Sequence, residues 1–224
     1  MTRHFTSDYV ERAELRDGTR VVVRLLVPDD KSLIAEGFAK LSAESRYSRF
    51  LGPKTALDDA ELRYLTEIDQ ETHFALGAML EDGDGRGAPV GLGIARFIVD
   101  KLSRLADPTT AEAAIVVADQ AQGQGLGRLL MMRLCAAAAE RGIERFRCEV
   151  LGDNTAAAGL LAQISPERTI EVESGVMTID LPLPNVRPAD PPAASPEGAM
   201  YEVLRAAARN AVEWTAAVRR LWRK

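Results

Sequence analysis

Two cysteines, no excess of basic charge and no apolar run long enough to cross a bilayer define what this chain lacks. Cys135 and Cys148 fall within an apparent helix and an apparent strand, where small buried hydrophobes belong, so they read as structural thiols rather than a disulfide or redox pair. Without a stretch of about eighteen apolar residues no transmembrane helix is expected. The chain opens Met1-Thr2-Arg3-His4 and not on a signal-peptide pattern, which makes a cytoplasmic location the expectation. A formal net charge of -5 argues against nucleic acid as the main partner. No internal repeat and no metal site are read from the sequence.

What is present is an ordinary globular composition, 46% hydrophobic and 27% charged, in a length that suits one domain with an appendage. Residues 1–18 show no clear period and read as a lead-in ending at the turn signal Asp17-Gly18. Thr19 to Val27 predicts a strand. Pro28-Asp29-Asp30 then opens a helix with Leu33, Ile34, Phe38 and Leu41 at helical spacing. A second helix is expected over Leu57 to Ile68. Strands follow at His73–Leu80 and Val90–Val99, joined by a glycine-rich hairpin connection over 82–87.

Thr109 to Ala118 contains Ala113-Ala114-Ile115-Val116-Val117, an apolar run suited to a central strand covered on both faces. Leu126 to Arg141 predicts a helix closed by Gly142. Phe146–Leu151 is a strand and Thr155–Ile164 a short helix. Thr169–Val172 and Val176–Leu181 flank Ser174-Gly175 as a hairpin. The pattern is mixed α/β, with one domain over 19–183.

After it, prolines at 182, 184, 188, 191, 192 and 196 mark a semi-extended linker over 184–198. Met200, Val203, Leu204, Ala207, Ala211, Trp214, Val218, Leu221 and Trp222 then form the stripe of one amphipathic helix over 199–224. Its Arg205, Arg209, Arg219, Arg220, Arg223 and Lys224 outnumber Glu202 and Glu213. Such a helix docks on its own domain or joins a partner or second copy, with a membrane surface ranked below both.

The chemistry is carried by the loop after the buried strand. Asp119-Gln120-Ala121 leads into Gln122, Gly123, Gln124, Gly125, Leu126, Gly127 and Arg128, where a helix begins. Glycine removes side chains where the backbone turns sharply and approaches a ligand. The helix start presents unpaired N–H groups and the positive end of its dipole, a cradle for a pyrophosphate. Rossmann and P-loop proteins share this physics. Here no Gly-Lys-Ser/Thr ending follows, no early β-α-β unit precedes, and no acidic residue stands in the usual ribose position.

At these residues the sequence resembles the GNAT family of N-acetyltransferases. That family's motif reads Gln or Arg, two variable residues, Gly, one variable residue, then Gly or Ala, and Gln122, Gly125 and Gly127 match it. Val116-Val117-Ala118-Asp119 fits the family's fourth strand, and the order of elements from Thr19 to Leu183 agrees. The likeness is closest to bacterial protein lysine acetyltransferases, through Ser45-Arg46-Tyr47-Ser48-Arg49-Phe50 and His73-Phe74-Ala75-Leu76. Arg46 and Tyr47 there either anchor a helix pair to the sheet or stand at the substrate entrance.

The resemblance implies a mixed, mostly antiparallel sheet flanked by helices, with the fourth and fifth strands splayed apart near Ile115 and Glu149. It implies acetyl-CoA as acyl donor and a primary amine, small molecule or protein lysine, as acceptor. The peptide-like pantetheine arm would pair with the main chain of Ile115, Val116 and Val117. Asn154 would contact the coenzyme, or serve only as a helix N-cap.

A free lysine, with a pKa of about 10.4, must lose a proton before it attacks. In the relatives resembled, a glutamate at the position of Glu112 is the general base; the alternative is a solvated strand end. The tyrosine that often serves as general acid is replaced by Leu160, Leu161, Ala162 and Gln163. A catalytically weak acyl-CoA sensor is therefore an alternative function, and an adaptor recruiting partners through the tail helix is another. Asp58, Asp59, Glu61, Glu67, Asp69 and Glu71 make either an acidic rim that attracts an amine or a solvated helix face.

Overall fold

A computed structural model describes residues 3–81, 89–99 and 107–183. The expected glycine-rich connection over 82–87, the proline-rich linker and the C-terminal helix lie outside the described residues. Among the described residues, one sheet holds β1 (Val10–Glu14), β2 (Arg20–Leu25), β3 (His73–Leu80), β4 (Gly91–Ile98), β5 (Thr110–Val117), β6 (Arg145–Leu151), β7 (Thr169–Glu173) and β8 (Val176–Pro182). Their spatial order is β1-β2-β3-β4-β5-β6-β8-β7. Every neighbouring pair is antiparallel except β5 and β6, which run parallel. No described helix is long and apolar enough to cross a membrane.

The central strands are covered on both faces. Successive strand residues point to opposite sides: Phe74, Leu76 and Phe97 join one cluster, while Ala75 joins another. The first side is packed by α4 (Leu126–Ala139), whose Leu126, Leu130 and Leu134 are wholly buried, and by Leu161 and Ile164 of α5 (Thr155–Ile164). On the other side Ile34 of α1 (Lys31–Lys40) and Leu62 and Leu65 of α3 (Asp59–Thr66) pack with Leu26, Ala75 and Ile94. The double coverage explains why β3 reads as a nearly unbroken apolar run.

Two expectations need correction. The segment 1–18 is not a free lead-in, since β1 is the edge strand and pairs with β2 from Val10↔Arg24 to Glu14↔Arg20. Its inward positions are Tyr9, Glu11, Ala13 and Leu15, all buried. Glu11 breaks the apolar alternation and hides it from inspection. Its carboxylate is held by Arg133 of α4, whose Nε and Nη2 donate at 2.8 and 2.6 Å, and by the Tyr9 hydroxyl.

The second correction lies between α1 and α3. Ala43–Phe50 forms a helix of its own, α2, and the expected helix over Leu57–Ile68 contracts to α3. Local capping explains both. The Ser42 side chain accepts from Ser45 N–H at the start of α2, and Asp58 with Glu61 closes a capping box on α3.

Candidate functional site

β5 and β6 stay paired only over Thr110↔Arg145, Ala111↔Phe146 and Glu112↔Arg147. Beyond that point β5 pairs with β4 alone and β6 with β8 alone, so the two strands part. The cleft between them, of about 1240 Å³, runs from the loop at Gln122 to the helices α2 and α3.

Alternation of the ladder decides which backbone groups face it. Ala118 N–H donates to Leu92 O, so Ala118, Val116 and Ala114 direct their main chain to β4. Ala113, Ile115 and Val117 direct theirs into the opening. Of the three residues expected to meet pantetheine, Ile115 and Val117 are placed to do so. Val116 is turned the other way, towards Ile94, although it too lines the cleft.

The glycine loop divides its labour. Gly123 (φ 72°) and Gly125 (φ 93°) occupy the left-handed region, which other residues enter at a cost. Gly127 is helical, and a Cβ there would stand 3.3 Å from Leu160 Cδ2, so its small size serves the packing of α4 on α5. Leu129 N–H is the first of α4 to reach back, to Gly125 O, which leaves the amides of Leu126, Gly127 and Arg128 ahead of the helical ladder. The Leu126 side chain itself is core.

Gln122 Nε2 donates to Val117 O at 3.2 Å and ties the loop to β5. Gln124 turns its carbonyl to Arg16 N–H, 3.1 Å away, and Arg16 Nη1 approaches Gly123 O at 3.5 Å. Arg128 also lines this end of the cleft, and burial followed by the charge of Arg16 lowers its pKa. Two like charges held together at a helix N-terminus make a place for an anion. These groups fit a pyrophosphate.

Asp119 binds this loop to α2. Its carboxylate accepts from Ser42 N–H at 2.7 Å, from the Ser42 hydroxyl at 3.2 Å and from the Ser45 hydroxyl. Those bonds, Ser45's foremost, hold it below the usual carboxylate range. Asn154 caps α5, its Oδ1 accepting from Ala157 N–H at 3.0 Å, and it lines the cleft as well.

At the other end Glu112 is exposed on the cleft wall. Arg147, its partner across the parallel pair, gives its guanidinium to Asp180 at 3.2 Å. Among the described residues no ion pair or hydrogen bond engages the Glu112 carboxylate. On the same sheet face, Arg96 of β4 stands opposite Ala114, and Ile98 stands opposite Glu112. Arg96 is 4% exposed; its Nη1 donates to His73 Nε2 at 3.0 Å and its Nη2 to Leu65 O at 3.2 Å. Burial, then the charge of Arg96, pulls the His73 imidazole down to about 4, so the ring is neutral at pH 7 and accepts from Arg96.

Residues 40–164 match the Acetyltransferase (GNAT) family. The chain belongs to this family. It is 31% identical over 189 residues to "Acetyltransferase Pat" of Mycolicibacterium smegmatis, covering 80% of this chain and 51% of that protein. The chain therefore spans about half the length of that curated relative. The solved GNAT domain of S. lividans PAT superposes with a TM-score of 0.70 at 26% identity, over 80% of this chain and all of that one. An acetyltransferase of Salmonella typhimurium, yncA, solved with acetyl-CoA, shares the fold with a TM-score of 0.57 at 22% identity, over 78% of this chain and 99% of that one.

This GNAT domain lines its cleft with further residues whose part the sequence does not display. Arg16 lies in the segment read as a lead-in, Ser42 bears no motif, and Asp119 is legible only as the end of the fourth-strand pattern, its bonds to α2 being tertiary. The acidic stretch in turn dissolves into local roles. Asp58 and Glu61 cap α3, and Glu61 also takes Lys54. Glu67 and Glu71 are ion-paired with Lys31 and Arg3. Asp69 accepts from the amides of Glu71, Thr72 and His73. Most of these acids are thus engaged, and of them only Glu61 lines the cleft.

Proposed function

We propose that this domain transfers the acetyl group of acetyl-CoA to a primary amine, with Glu112 accepting the amine's proton; a protein lysine is the acceptor class that the resemblance to protein lysine acetyltransferases favours. One observation carries the reading: where β5 and β6 part, an unpaired carboxylate, Glu112, stands at the cleft beside main-chain groups left without strand partners. The glycine loop, with Arg16 and Arg128, holds the pyrophosphate, while Ile115 and Val117 offer strand-like bonds to the pantetheine arm. Family membership and the Salmonella neighbour's bound acetyl-CoA support this choice of donor.

The amine nitrogen attacks the thioester carbonyl carbon. Glu112 first takes the proton of the arriving ammonium. The neutral nitrogen then forms the C–N bond, the C–S bond breaks as coenzyme A leaves as its thiolate, and the second nitrogen proton passes to water or to that thiolate. With a thiol pKa of about 8.5 the thiolate departs without a dedicated acid. That accords with α5, which has Leu160, Leu161, Ala162 and Gln163 where the resembled family often has a tyrosine.

The test is Glu112→Gln. Acetyl-CoA affinity, read by calorimetry, is expected to stay within about twofold, while kcat/KM for an amine at pH 7 falls by on the order of a hundredfold or more. An unchanged rate removes Glu112 as the base. Binding of acetyl-CoA by the unaltered domain without turnover on any amine establishes instead the sensor reading, which the leucine on α5 favours.

A further inference from the structure

Several arginines of this fold meet carboxylates. Arg12 reaches Glu81, Arg24 reaches Asp30, Arg133 reaches Glu11 and Arg147 reaches Asp180. Arg49 of α2 and Arg96 of β4 do not: among the described residues neither has an acidic partner, and both line the cleft at its α2–α3 end. Arg96 is almost wholly buried, and Arg49 is partly buried with its guanidinium 5.2 Å from the Phe50 ring centroid.

We infer that Arg49 and Arg96 form an anion subsite for the acceptor, so that the amine acetylated is one that carries a carboxylate close by. The inference rests on the proposed acetyl transfer and specifies its substrate.

The physical case begins with cost. Guanidinium groups cannot shed their charge at neutral pH, and burying two of them together without an anion is unfavourable. Burial, followed by the charge of Arg49, lowers Arg96 to about 10, and burial lowers Arg49 as well. A carboxylate from outside would relieve that cost and gain charge-assisted hydrogen bonds in a partly desolvated site.

Position supplies the second part. Arg96 and Glu112 share one sheet face at diagonal cross-strand positions, whose backbones lie on the order of 7–8 Å apart. Arg49, Arg96 and Glu112 line one cleft, so an amine directed to Glu112 lays its neighbouring groups along the wall that carries the guanidinium pair. His73 is a positioning residue: its neutral ring and the Leu65 carbonyl fix two Arg96 donors while adding no competing charge. Tyr64, whose ring lies 5.1 Å from that of His73, closes the same wall.

Such a carboxylate has two sources, a free amino acid or an acidic residue flanking a lysine in a protein. The experiment separates them by following thiol release from acetyl-CoA with matched acceptors. One arm pairs amino acids with their carboxamides; the other pairs lysine peptides flanked by Glu with the same peptides flanked by Gln. The acidic member of at least one arm is expected to win by about tenfold or more in kcat/KM, through KM. The winning arm names the source.

Arg49→Gln should shrink that preference to less than about threefold by raising KM for the acidic member, and Arg49→Lys should restore part of it. Because Arg96 is buried, Arg96→Gln is read only if its unfolding midpoint stays near that of the parent. Equal rates within both pairs, or a preference that survives Arg49→Gln, overturn the subsite. Failure of every amine, with acetyl-CoA still bound, overturns the transfer reading itself and is told apart on that basis.

Discussion

The two ends of the cleft are built on different principles. The coenzyme end is mostly main chain: two positive-φ glycines, the first amides of α4 and the gap-facing groups of Ile115 and Val117, nearly all drawn from one stretch of sequence. The end proposed for the acceptor is side chains brought from α2, α3, β3, β4 and β5 by the fold. A backbone site is recognised by spacing and tolerates varied side chains. A side-chain site depends on the tertiary structure and can change its substrate by single substitutions.

The locality of the coenzyme end is broken most sharply at Arg16, which offers the largest expected effect. Arg16 follows β1, and β1 is anchored to α4 through the buried Glu11–Arg133 pair. Glu11→Ala leaves Arg133 buried without its acid and should cost about 3–5 kcal/mol in urea unfolding. Acetyl-CoA affinity should fall with it, because the clasp on Gln124 and Gly123 depends on β1. Unaltered affinity at full folding would restore the picture of a purely local site.

Next comes the loop itself. Gly125→Val forces a β-branched residue to φ 93° and should weaken coenzyme binding by about 2 kcal/mol, measured by calorimetry. Gly127→Ala keeps a helical backbone and must move only Leu160, so its effect on affinity should be much smaller. Equal losses at both positions would mean that the loop's glycines all serve the ligand. Arg16→Gln should then weaken acetyl-CoA by about 1 kcal/mol, and less in high salt, since it removes one exposed charge beside the loop.

This division also explains what was legible beforehand. Gln122, Gly125 and Gly127 disclosed the family because they lie at fixed spacing in one stretch of chain, although Gly127 makes room for the distant Leu160. The alternation of β1 was obscured by Glu11, whose burial makes sense only with Arg133 from the far side of the chain. The acids from Asp58 to Glu71 looked like a charged rim, yet caps and ion pairs take up most of them. Arg96 sits within a strand pattern where nothing local announces that its partners are a histidine and a carbonyl. The direction of Val116 likewise follows from the register with β4, which a sequence does not display.

The smallest predicted effect tests whether the acceptor end is preset by His73. Its pKa is about 4 in the folded chain, against about 6.5 when unfolded. Between these values the unfolded state binds the extra proton, so stability rises with pH through this window and falls as pH drops from about 6.5 towards 4. With a discount for partial exposure, His73 should account for about 1 kcal/mol lost between pH 7 and pH 5. Asp69, held near 2, stays ionised throughout and does not confuse the measurement. Urea midpoints of the parent and of His73→Gln at both pH values isolate the effect, because glutamine can still accept from Arg96 but does not titrate. The parent should lose more stability on acidification than the variant. Parallel losses would mean that the imidazole is not held neutral by its burial beside Arg96.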